Sequence, residues 1–150
     1  MEEQNRQWSQ IVVEVDGHQF EIDPNEYLKI DYFQIKEELL KYASNMAWIG
    51  SIKEAVSKQV GDLEFEVDKL YASLDLKYRD SLEGKKAREK DREVKSNIYG
   101  NATYQEYRRR LSEIRYLEGK IKAILSALAK KDSMLVQLCT MYKAEEARSR

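Results

Sequence analysis

The stretch Leu111–Tyr142, LSEIRYLEGKIKAILSALAKKDSMLVQLCTMY, carries the strongest periodicity in the chain. Ile114, Ile121, Leu128, Leu135 and Tyr142 recur every seven residues; Leu117, Ile124 and Leu138 fill the second heptad position, which Lys131 interrupts. Leu111 and Leu125 widen the stripe. Apolar residues spaced by three and four lie on one face of a helix. One helix over residues 103–146 would be roughly 66 Å long at 1.5 Å per residue. Lys130-Lys131-Asp132-Ser133 could kink it, or Asp132 or Ser133 could cap a separate last helix. A helix this long has no stable use for its seam within a monomer. Ile114, Leu117, Ile121, Ile124, Leu128, Leu135 and Leu138 are therefore expected to hold protomers together, with a seam composition that leans toward more than two strands.

Upstream, Ile52, Val56, Val60, Leu63, Val67, Leu70 and Leu74 form a second stripe spaced by three or four, beginning at about Ser51. A preceding helix opens at Asp23-Pro24-Asn25-Glu26, where Asp23 can cap, Pro24 suits the first helical position and Glu26 completes a capping box. Trp48-Ile49-Gly50 reads as the bend between the two, so they are expected to pair as an antiparallel hairpin. Before them, Ile11–Val15 and His18–Ile22 flank Asp16-Gly17, the signature of a β-hairpin with a type I′ turn. A lone hairpin is marginal in water, so its apolar face must rest on something. The apolar stripe weakens after Leu74, and Ser81–Asn101 reads as a solvated helix end and flexible loop. Tyr99-Gly100-Asn101 is a breaker, after which Thr103 and Glu106 form a second capping box. The expected fold is mainly α: a long helical hairpin with a small N-terminal β-hairpin and a C-terminal oligomerising helical region, divided at 1–22, 23–101 and 102–150.

Charge divides the chain. Residues 1–76 hold 7 Lys/Arg against 16 Asp/Glu, a net of −9, whereas residues 77–150 hold 19 against 11, a net of +8. The formal total of −1 hides this, and the field that a partner meets follows the local excess. Lys77, Arg79, Lys85, Lys86, Arg88, Lys90, Arg92 and Lys95 make up most of the basic segment, which closes on Arg108-Arg109-Arg110. Tyr78, Tyr99, Tyr104 and Tyr107 are interleaved with it. Cations beside flat rings suit single-stranded nucleic acid, and the eight residues from Lys77 to Lys95 are the candidate contacts. The same run also fits a solvated helix face with ordinary i,i+4 pairs.

Other chemistry finds little support. His18 stands alone, no motif places a nucleophile beside it, and no Cys/His/carboxylate set has metal-ligand spacing. Phosphate-binding glycine motifs are missing. No enzymatic activity, metal or cofactor is expected. Cys139 is the single cysteine and reads as a small buried apolar residue; the absence of a disulfide framework suits a reducing cytoplasm. Met1–Arg6 is polar and lacks the apolar core of a signal peptide, and no run of about 18 apolar residues suggests a membrane span.

A resemblance sharpens these expectations. Ile124-Leu125-Ser126-Ala127-Leu128-Ala129-Lys130-Lys131 resembles a small-and-apolar run ending in Lys/Arg of the UvsY family, the recombination mediators of T-even-like bacteriophages, and Met134-Leu135-Val136-Gln137-Leu138 and Met141-Tyr142-Lys143 resemble its last helix. Leu70-Tyr71-Ala72-Ser73-Leu74-Asp75 is similar to a family segment of pattern L-x-A-x-L-D, and the likeness covers most of residues 23–146. It implies a ring-shaped homo-oligomer of more than two protomers in the cytoplasm of an infected bacterial host. Such an oligomer binds single-stranded DNA and helps load a RecA-like recombinase onto strands covered by single-strand DNA-binding protein. The variable positions of that motif are basic in the family and implicated in DNA binding; here they are Tyr71 and Ser73, so that role does not carry over to them. The β-hairpin is an addition to the family pattern. Two other classes fit parts of the sequence: a coiled-coil adaptor that binds only protein, and a nuclease inhibitor whose acidic half mimics DNA.

Overall fold

A computed structural model describes residues 9–148, so the polar start read at Met1–Arg6 lies outside the described residues. The elements, in chain order, are β1 (Ile11–Val15), β2 (His18–Ile22), α1 (Pro24–Leu28), α2 (Ile35–Ser81), α3 (Ala87–Gly100) and α4 (Ala102–Arg148). The fold is mainly α with one two-stranded antiparallel sheet, as the periodicities imply. The chain groups into two compact units, one joining Met1–Ala55 to Leu117–Arg150 and the other spanning Val56–Tyr116. α2 and α4 each contribute to both.

In the first unit, β1 and β2 pair with Ile11 opposite Ile22 and Val13 opposite Phe20. Asp16 and Gly17 both have positive φ, 50° and 78°, as a type I′ turn requires of its two central residues. Side chains directly opposite each other share a face, so Ile11, Val13, Phe20 and Ile22 make one apolar side of the ribbon. Ile11, Val13 and Ile22 are buried, which answers the need of a lone hairpin for support. Asp23 caps α1 by accepting from the Asn25 backbone N–H at 2.9 Å. The helix nevertheless ends at Leu28, and α2 begins only at Ile35, after an Asp31 turn that accepts from the Phe33 N–H at 2.9 Å. The Tyr27 ring stacks on Trp48 of α2, with centroids 5.8 Å apart.

Trp48-Ile49-Gly50 is not a bend. α2 runs through it unbroken, because Ile49 and Ile52 are both buried on the helix's inner face. That burial outweighs the roughly 1 kcal/mol that a glycine costs a helix interior. The expected antiparallel pairing of a 23–46 helix with its successor therefore does not occur: residues 35–46 and the stretch after Ser51 belong to one helix, and residues 24–28 form the separate α1. α4 is likewise a single helix with no break at Lys130–Ser133.

The second unit has its own core of Val60, Val67 and Leu74 from α2, Val94 and Ile98 from α3, and Tyr104 and Leu111 from α4. From Val60 onward, the apolar stripe read after Ser51 thus packs with α3 and α4. Glu64 of α2 and Arg115 of α4 add an ion pair at 2.5 Å. The expectation of a flexible loop over Ser81–Asn101 is corrected by α3, a helix of 14 residues. Its sequence shows only two strong apolar residues, but Val94 and Ile98 are four apart and fully buried, enough to seat one face of a short helix.

The α4 seam also has a use inside one protomer. Ile121, Ile124, Leu128 and Leu135 are all within 1% of complete burial, and Ile114 packs against the second unit's core. Leu117 and Leu138 are half-buried. The premise that this seam must lie bare until protomers meet is therefore corrected: the first unit covers most of it.

Candidate nucleic-acid interface

α3 carries Arg88, Arg92, Lys95 and Tyr99 at spacings of four, three and four. With 3.6 residues per turn, these fall on a strip about 60° wide, turned about 110° from the Val94–Ile98 face. All four are exposed, and Tyr99 is 55% exposed. The strip is about 16 Å long from Arg88 to Tyr99 at the helical rise. Among the described residues, Arg88, Arg92 and Lys95 have no ion-pair partner, so their charge is available to an anion. An open groove of about 750 Å³ along this part of α3 is lined by Lys86, Arg88, Glu89, Arg92, Glu93 and Ser96. Glu89 and Glu93 bound the basic strip on its next face.

The other candidate cations have different surroundings. Arg79 bonds Asp75 and Asp91, each at 2.6 Å, and so ties α2 to α3. These carboxylates, Asp75 foremost, raise the guanidinium pKa above its already high value. Lys85 pairs with Glu93. Both residues thus hold α3 in place, leaving less of their charge for a ligand. Lys77 and Lys86 are exposed and Lys90 is half-buried, each off the strip.

The tyrosines also separate. Tyr104 is buried, while Tyr78 and Tyr107 pack against the core. Tyr71, one of the two motif positions, contacts Tyr104 at 6.0 Å between centroids, and the other, Ser73, is exposed. Tyr99 alone of the four interleaved rings projects to solvent, meeting the Tyr104 ring edge-on at 5.9 Å.

The corner that presents Tyr99 is built by hydrogen bonds. The Asn101 side-chain oxygen accepts from the Tyr104 N–H at 3.1 Å and so caps α4, the role expected of Thr103. Its amide donates to the Tyr78 hydroxyl at 3.3 Å. Gln105 donates from Nε2 to the Tyr99 carbonyl at 2.9 Å. Glu106, read as the far half of a capping box, instead bonds Arg109 at 2.8 Å and 3.0 Å. Tyr99, Tyr104, Gln105, Arg108 and Arg109 line a second groove of about 400 Å³. Sequence reading missed Asn101 and Gln105; the Asn placed just before the α4 periodicity was the signal for the first.

Compared with known proteins, the chain matches no family model, no curated protein and no solved structure. No described helix is long and apolar enough to cross a membrane.

Proposed function

We propose that this chain binds single-stranded DNA through α3 and acts as a recombination mediator of the UvsY kind. In that role a homo-oligomer helps load a RecA-like recombinase onto strands covered by single-strand DNA-binding protein, in the cytoplasm of a phage-infected cell. The observation that carries the DNA reading is the strip Arg88–Arg92–Lys95, three cations on one helix face with no ion-pair partner among the described residues. The mediator role rests on the sequence resemblance. Three cations make a weak site, and several copies on one assembly would raise avidity through effective concentration. Contacts between copies would draw on apolar side chains that α4 leaves exposed, Met134, Val136, Met141 and Tyr142, since Ile121, Ile124, Leu128 and Leu135 are already covered.

The test is fluorescence anisotropy with labelled oligo-dT across a salt series, together with light-scattering mass. Charge reversal at Arg88, Arg92 and Lys95 together should weaken binding strongly. It should also flatten the log–log salt slope by about 2, at about 0.7 per lost phosphate contact on a single strand. Lys36→Glu, on exposed α2 surface of the other unit, is the control and should change little. Equal effects from the two variants would refute α3 as the site. Binding of protein partners alone, with no affinity for oligo-dT, would favour the adaptor.

A further inference from the structure

We propose that Tyr99 is a stacking platform for one unpaired nucleobase, and that this ring makes the α3 surface selective for single strands. The inference rests on the DNA reading of the basic strip and deepens it. Cations alone attract duplex and single strand alike, because both present phosphates. Discrimination needs a flat apolar surface that only an unstacked base can reach. Tyr99 lies on the same helix face as Arg88, Arg92 and Lys95, at the C-terminal end of the strip. A strand whose phosphates follow that strip would bring a base to this ring.

The ring is held ready. Tyr104, itself buried, meets it in a T-shaped contact, and Tyr71 packs on Tyr104 in turn. Gln105 fixes the Tyr99 carbonyl, and Asn101 fixes the turn that follows. Holding an exposed aromatic in one place lowers the ordering cost on binding. The adjoining groove adds Arg108, which is exposed and has no ion-pair partner among the described residues. Its guanidinium can meet a phosphate or lie over a base face. The other three interleaved tyrosines contribute to the core, so one base per protomer is the expected count.

The experiment compares wild type, Tyr99→Phe, Tyr99→Leu and Tyr99→Ala by anisotropy on three probes of equal length: oligo-dT, a duplex, and an abasic single strand. Tyr99→Ala and Tyr99→Leu should each lose roughly five- to a hundredfold in affinity for oligo-dT, whereas Tyr99→Phe should bind nearly as wild type. Duplex and abasic affinities should be alike in all four proteins, and the salt slope should not move, because no phosphate contact is lost. Unchanged oligo-dT binding by Tyr99→Leu and Tyr99→Ala, with wild type binding well, would overturn the platform and leave the DNA reading intact. Equal losses on oligo-dT and on the abasic strand would also overturn it, showing that Tyr99 only supports the fold. Failure of wild type to bind oligo-dT at any salt would remove both.

Discussion

The Lys131 ammonium is buried between the Glu38 carboxylate and the Tyr27 backbone carbonyl, donating to the latter at 2.9 Å. The lysine that interrupts the α4 heptads is thus the residue that links α4 to α1 and to the start of α2. Its long stem fills a seam position, and its charge is paired at the far end.

Removing one partner should be costly. Lys131→Ala leaves Glu38 without its cation, and the Glu38 side chain is only 23% exposed. Partial solvation of that carboxylate keeps the expected loss near 2 kcal/mol, below the 3–5 kcal/mol range for a fully buried pair (about these values). Replacing both, as Lys131→Met with Glu38→Met, should recover most of the loss, because apolar packing can take over from the pair. Urea unfolding of both variants, followed by circular dichroism, checks the order.

Leu128 gives a sharper test of what the seam does. It is 1% exposed within one protomer. Leu128→Asp should therefore lower the melting temperature severely, since a carboxylate has been placed where the chain itself excludes water. Leu128→Ala should cost about 2–5 kcal/mol, in line with other large-to-small changes in a core. A Leu128→Asp protein that melts like wild type but has a smaller light-scattering mass would instead return the seam to the oligomer interface.

Asn101 should matter more than an ordinary turn residue. Asn101→Ala removes the α4 cap, worth about 1 kcal/mol, together with the bond to Tyr78. The prediction is a modest fall in thermal stability together with faster amide hydrogen exchange at Tyr104 and Gln105. Asn101→Asp can still accept from the Tyr104 N–H, so it should retain the cap and lose only the donor.

The pair Glu106–Arg109 sets a small pH dependence. Hydrogen bonds from Arg109, aided by its charge and that of Arg110, lower the Glu106 pKa. A carboxylate with a depressed folded pKa contributes stability above its unfolded pKa and loses it as pH falls through the folded value. The difference in melting temperature between wild type and Glu106→Gln should thus be small at pH 7 and shrink to nothing in acid. High salt at pH 7 should shrink it too, since the pair is exposed.

Much of this molecule was legible in short-range pattern. The Asp16-Gly17 hairpin, the Asp23 cap, the two apolar stripes and the break at Gly100-Asn101 all depend on neighbours within a few residues, where backbone sterics and helical spacing act directly. Charge segregation likewise located the basic segment. Tertiary structure decided the rest. Continuity of α2 through Gly50 depended on what covers Ile49 and Ile52, and the existence of α3 depended on a surface able to receive Val94 and Ile98. The candidate site needed the same information. From sequence, the cations from Lys77 to Lys95 were equivalent and so were four tyrosines. Folding pairs Arg79 and Lys85 with carboxylates, packs three rings into or against the core, and leaves Arg88, Arg92, Lys95 and Tyr99 on one open face. Local periodicity can say which residues share a helix face, but whether that face meets protein or water is set by distant parts of the chain, through burial and ion pairing that sequence spacing does not encode.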